Sequence, residues 1–179
     1  GGLAVAFALK PTLSNIFGGV SMILDKTISI GDVVEIGGYS GEIIDIGIRS
    51  TKIRTWDNEV IIMPNGKLVD SDIRNRTKPN PKIRVVVPFG IAYGSDVEKA
   101  KKIVLRLIKK VDGKLDEPEP WVWFMEMADS SLNFNSYFYV ENRSKKYPAI
   151  DFMNTNIHAE FKKAKIEIPF PQRDVHMRK

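Results

Sequence analysis

The spacing of apolar positions changes several times along the chain. Over residues 2–9 small residues alternate with bulky ones, Gly2-Leu3-Ala4-Val5-Ala6-Phe7-Ala8-Leu9. After Lys10-Pro11 a second pattern sets Leu13, Ile16, Phe17, Val20, Ile23 and Leu24 at helical spacing. These patterns predict two helices meeting at position 10. Pro11 lacks an amide hydrogen, which costs about 3 kcal/mol inside a helix, yet it suits the first turn of a new one. Gly18-Gly19 marks a second weak point, with close packing as the alternative explanation.

From residue 28 the period shortens. Ile28 and Ile30 precede Gly31-Asp32, and β-branched runs follow at 33–36, 41–48, 51–55 and 59–63. Gly, Asp-Asn and Asn-Gly stand between them, and Pro64-Asn65-Gly66-Lys67 reads as turn chemistry. Five short strands at this spacing predict a small, strongly bent β-barrel without an intervening helix. Lys78-Pro79-Asn80-Pro81-Lys82 is a linker by composition. Beyond it come a strand at 83–87 and a helix opened by the capping-box pattern Ser95-x-x-Glu98. Strands at 121–127 and 132–140, a helix at 147–163 and a strand at 166–168 complete the order. This is the β-α-β-β-α-β split pattern of a ferredoxin-like domain. The tail, Pro169 to Met177, is proline-rich and extended with no partner strand nearby in sequence; such a strand pairs elsewhere, for instance with copies of itself. The expected class is α+β, in segments 1–27, 28–79, 80–168 and 169–179.

With 43% hydrophobic residues in 179, the chain can bury real cores. No stretch of 18 uncharged apolar residues exists, so no unbroken transmembrane helix is expected by that criterion. There is no basic segment ahead of the apolar start and no initiator Met; the chain reads as a piece of a longer membrane protein rather than one opening on a signal peptide. The lack of cysteine excludes disulfides and thiolate sites. The two histidines, His158 and His176, lie in separate segments and argue against a histidine metal site. No cofactor is expected. The net charge of +5 fits nucleic acid or an anionic membrane surface. Most basic residues, however, are mixed with acidic ones, as in Glu98-Lys99-Ala100-Lys101-Lys102, the pattern of a solvated helix face.

Candidate chemistry concentrates at the start. Leu3 and Phe7 are four apart and share a helical face; Gly2 with Ala6, and Ala4 with Ala8, occupy the neighbouring faces. Small residues at this spacing let helices approach closely in a membrane. A ring of such helices would turn Leu3 and Phe7 toward its axis, and a narrow apolar ring blocks ions because water leaves it. An ordinary alanine-rich core helix has the same spacing. Lys10 is the only charge before Asp25. It reads either as part of a ring of ammonium groups favouring anions or as a lysine snorkelling to the membrane interface. Small β-barrels also bind RNA, which keeps Arg49, Lys52, Arg54 and Lys67 in view, but no aromatic–basic alternation accompanies them. Asp129-Ser130-Ser131 and Glu117, Glu119 and Glu126 lack a histidine partner, and no enzyme is expected.

Taken in order, Gly2 to Leu9, Leu13-Ser14-Asn15 with Gly18-Gly19, Ile30-Gly31-Asp32, Gly41-Glu42-Ile43, Arg54-Thr55, Ile62-Met63-Pro64-Asn65-Gly66-Lys67, Ala92-Tyr93 with Ser95-Asp96, and Ile168-Pro169-Phe170-Pro171-Gln172 resemble the small-conductance mechanosensitive (MscS-like) channel family over the full length. The resemblance implies a homoheptamer in the cell (inner) membrane, multi-pass in the full-length protein and cytoplasmic from about residue 28. It implies a kinked pore-lining helix continuing along the membrane surface, an Sm-like β domain, an α/β domain, and tails joined in a parallel inter-subunit β-barrel. The implied activity is opening under membrane tension, which releases ions and small solutes on hypo-osmotic shock. Membrane lipid and permeating solutes are then the partners, and nucleic acid is not. By position, Leu3 and Phe7 match the constriction, Gly2, Ala4, Ala6 and Ala8 the sliding surfaces, Lys10-Pro11 the kink, and Gly19, beside Gly18, the lower hinge. Two departures stand out: Phe7 replaces a leucine of the best-known members, and Lys10-Pro11 replaces an uncharged residue followed by glycine. The competing reading is an Sm-like RNA-binding protein with an accessory α/β domain.

Overall fold

The computed structural model describes residues 1–177 and divides into two compact units, Gly1–Asn80 and Pro81–Lys179. In the first, helix α1 (Gly2–Asp25) runs unbroken through Pro11. The expected break at position 10 is therefore not a break in the helix. Proline removes one backbone bond, that to the carbonyl four residues earlier, which here is Phe7. The rest of the ladder carries the helix on. Length and composition make α1 capable of crossing a membrane despite Lys10, which revises the stricter expectation from uncharged spans.

Five strands follow: β1 (Val33–Ile36), β2 (Tyr39–Ile46), β3 (Ser50–Thr55), β4 (Val60–Pro64) and β5 (Ile73–Asn75). They form one antiparallel sheet in the order β4-β3-β2-β1-β5, with a register shift between Ile43 and Asp45. Alternating residues Val34, Ile36, Ile43, Ile53 and Met63 point into a core closed by Leu68, Met22 and Ile28. Two expectations are corrected here. The fifth strand is 73–75, not the Ile28–Ile30 segment, which has no strand partner; Ile28 instead plugs the core. Asn65-Gly66-Lys67 does not turn the chain but opens a short helix, α2 (Asn65–Val69).

The second unit contains β6 (Ile83–Ile91), α3 (Val97–Ile108), β7 (Trp121–Met127), β8 (Leu132–Val140) and α4 (Arg143–Ala164). The sheet order is β6-β8-β7, all antiparallel. Ala149, Met153, Ile157 and Phe161 recur every four residues on α4 and meet Ile103, Val104, Leu107 and Ile108 of α3 over Val85, Val87, Phe134 and Phe138. Asp96, not Ser95, caps α3 by accepting from the Lys99 amide. Asn142 caps α4, which starts four residues before the expected Tyr147. Residues 166–168 form no strand; a single bond from the Ala92 amide to the Glu167 carbonyl keeps them beside β6. Residues 169–177 show no regular secondary structure in the single chain, and 178–179 lie outside the described residues.

Candidate pore helix and its seat on the β domain

The two halves of α1 have different surroundings. Leu3 and Phe7 are 79% and 71% exposed, and Gly2, Ala4, Ala6, Ala8, Lys10 and Pro11 are exposed as well. None of this face is used within the single chain. In the second half Gly18, Gly19 and Met22 are buried, while Leu13, Phe17, Val20, Ile23 and Leu24 remain exposed on the other side. One stripe is docked and the opposite stripe is a bare apolar surface, the arrangement of a helix lying between a protein and an apolar phase.

Close approach creates the docked stripe. A side-chain carbon on Gly18 would sit 3.1 Å from the Asn65 carbonyl oxygen and 3.1 Å from Val69 Cγ2. On Gly19 it would collide with Asn65 Nδ2 and stand 2.6 Å from the Ile48 carbonyl oxygen. Gly18 and Gly19 are thus packed closely against α2 and the Gly47-Ile48 segment. From the other side, Gly66 leaves room for Ser14, whose hydroxyl would be 2.7 Å from a side-chain carbon there. The Gly66 amide donates to Asn15 Oδ1 at 2.8 Å, meeting one orphan donor of the α2 N-terminus.

Asn65 holds this seat rigid. It is fully buried; its Nδ2 donates to the carbonyls of Gly47 (2.9 Å) and Ile48 (3.0 Å), and its Oδ1 accepts from Thr51 Oγ1 (2.9 Å). All the polar atoms of its side chain are thus satisfied inside a core, which is what makes such a residue specify one geometry. At the far end of α1, Lys26 adopts a left-handed conformation. Its carbonyl accepts from Lys78 Nζ at 2.7 Å. Lys78 also reaches Ser29 Oγ at 3.0 Å and the buried Asp32 carboxylate at 3.3 Å. Asp32 Oδ2 further accepts from the Ser29 amide and Asn75 Nδ2. Nearby, Arg76 and then Arg74 hold the Glu35 carboxyl below the ordinary carboxylate range.

Asn15, Asn65, Asp32 and Lys78 were not singled out by sequence reasoning as site residues. A lone Asn within an apolar helix was the available signal for Asn15; the partners of the others are distant in sequence. The RNA candidates Lys52 and Arg54 are engaged by Asp45 and Glu42. In the acid–serine cluster, Ser130 Oγ accepts from the Gln172 amide, and Ser131 bonds Asn133, which donates to Glu126. Among the described residues no group of metal-ligating side chains converges.

The chain thus presents a helix with one bare apolar face, seated on a small β domain and followed by a separate α/β unit. Residues 11–78 match the family model for the mechanosensitive ion channel β-domain, and residues 85–168 the model for the MscS C-terminal region. The small-conductance mechanosensitive channel MscMJ of Methanocaldococcus jannaschii is 38% identical over 184 residues, covering the whole chain and 52% of that protein. The small-conductance mechanosensitive channel of Edwardsiella ictaluri is 37% identical over 98% of the chain and 61% of its own length. The closed-state crystal structure of Helicobacter pylori MscS superposes with a TM-score of 0.89 at 27% identity, over 99% of the chain and 70% of that structure. The chain belongs to the MscS-like mechanosensitive channel family. It spans about half the length of the first relatives it matches.

Proposed function

We propose that the protein carrying this chain is a membrane channel opened by tension, passing ions and small solutes on hypo-osmotic shock and catalysing no reaction. The observation that carries this reading is the exposed first half of α1, with its Leu3/Phe7 stripe and flanking small residues, joined to a second half seated on the β domain. Copies of α1, seven in the family's arrangement, would pack through Gly2, Ala4, Ala6 and Ala8 and ring the axis with Leu3 and Phe7. Water leaves so narrow an apolar ring, and an ion cannot shed its hydration shell to enter. Tension favours the wider state because that state occupies more membrane area, which supplies the differential free energy a switch requires. The bare stripe Leu13, Phe17, Val20, Ile23 and Leu24 faces lipid, and the chain from about residue 28 lies in the cytoplasm beneath the inner membrane. The extended tail pairs with its copies in a barrel; the Ser130–Gln172 contact sets its departure from the β7–β8 hairpin.

The test is a pressure-clamp recording of the full-length protein in a lipid patch. Suction should evoke stepwise currents absent from protein-free patches. Phe7→Ser should wet the ring and leak at rest; an unchanged closed state and threshold would remove Phe7 from the gate.

A further inference from the structure

The pore reading places Lys10 at the kink and leaves its charge unused, although it is the only charged side chain between residues 1 and 24. Because α1 is continuous from Gly2 to Asp25, helix geometry fixes where Lys10 projects. At about 100° per residue, Lys10 lies about 20° from Leu3 and about 60° from Phe7, whereas Val5 lies about 160° from both. The rise from Phe7 to Lys10 is about 4.5 Å, less than one turn. Any arrangement that turns Leu3 and Phe7 toward an axis therefore turns Lys10 toward it too. The flanking faces carry Gly2 with Ala6 and Ala4 with Ala8, the surfaces on which neighbouring copies would pack. In such a ring that packing would close the lateral route by which a lysine snorkels into lipid. In the single chain the Lys10 side chain is exposed, with no partner among the described residues to hold it away from such an axis.

We propose that Lys10 is a specificity-determining residue of the pore: a ring of its ammonium groups, less than one turn beyond Phe7, makes the open channel prefer anions. This rests on the pore reading above and adds the charge class of the permeant. One unit charge about 6 Å from a permeating ion in water alters local ion occupancy about threefold. Several such charges act together, and salt screens them over about 10 Å at 0.1 M. The preference should therefore strengthen as salt is lowered.

The experiment is the reversal potential of tension-opened currents from the full-length protein in a KCl gradient. The wild type should favour chloride, and Lys10→Arg should retain that preference. Lys10→Gln should lower the chloride-to-potassium permeability ratio about threefold or more, and Lys10→Glu should invert the preference. Wild-type ratios in all three variants, with opening under suction intact, would overturn the proposal and return Lys10 to the lipid interface. A wild type that stays shut under suction while inserted in the bilayer would instead overturn the channel reading, and this inference with it.

Discussion

Replacing Gly19 with alanine sets two physical effects against each other. In an unhindered helix interior, alanine is more stable than glycine by about 0.5–1 kcal/mol because less backbone entropy is lost on folding. If Gly19 serves only as a flexible joint, Gly19→Ala should stiffen and stabilise α1. The structure gives the opposite sign. The new methyl would overlap Asn65 Nδ2 and stand 2.6 Å from the Ile48 carbonyl oxygen. Neither neighbour can move cheaply: the carbonyl is backbone, and the amide is fixed by its bonds to Gly47, Ile48 and Thr51. Overpacking of this kind costs about 1–3 kcal/mol, and displacing the Asn65 amide sacrifices about 1 kcal/mol per hydrogen bond. The net expectation is a loss of about 1–3 kcal/mol, confined to the seat of α1. Hydrogen exchange on the detergent-solubilised full-length protein reads this directly. Amides of residues 20–25, and of Asn65 and Gly66, should exchange about 5–150-fold faster than in the wild type, at tenfold per 1.4 kcal/mol. Gly18→Ala should be milder, since its nearest neighbours would be at 3.1 Å and include the movable Val69 side chain. Unchanged or increased protection in Gly19→Ala would refute the packing argument and restore a hinge.

Asn15→Ala removes the acceptor of the Gly66 amide and should cost about 1–2 kcal/mol, seen as faster exchange at Gly66 with the second unit unaffected. Lys78→Met leaves the buried Asp32 without its cation and the Lys26 carbonyl without its partner; a destabilisation of the first unit by about 1–3 kcal/mol should appear in urea unfolding, and Asp32→Asn in the same background should recover part of it. Glu35, Glu160 and Asp112 have carboxyls lowered by Arg76, Lys163 and Lys145 respectively, so their contribution is present above their unfolded values and is lost as pH falls through the lowered folded values. Stability should therefore drop on acidification below about pH 4, and carboxyl titrations followed by NMR should place all three below unfolded peptide values. The Lys145 ammonium is raised by the same Asp112 contact, so its contribution holds at neutral pH and is lost only as pH rises through its raised folded value.

Period and punctuation made much of this fold legible. The two-residue alternation at 33–36 and 51–55 and the four-residue recurrence on α4 depend only on near neighbours, and both are read from local sequence. The exposed stripe of α1, with Leu3, Phe7 and the small residues between them, is likewise a property of one helix. What escaped sequence reading was set by partners far along the chain. Strand β5 has three residues and exists because β1 offers it an edge. Asn65 looked like a turn residue because the groups it satisfies, Gly47, Ile48 and Thr51, are 14–18 positions away. That Gly18-Gly19 packs closely cannot be told from two glycines, since bending and packing both exploit the missing side chain; only the approach of α2 shows it. The continuity of α1 through Pro11 is local instead: one lost backbone bond is outweighed by all the others in the helix. The sequence by itself determined which faces are apolar and what they are able to bury. The tertiary structure decided which of those faces are used within the chain and which are left bare, because burial and hydrogen-bond satisfaction depend on which distant segments meet.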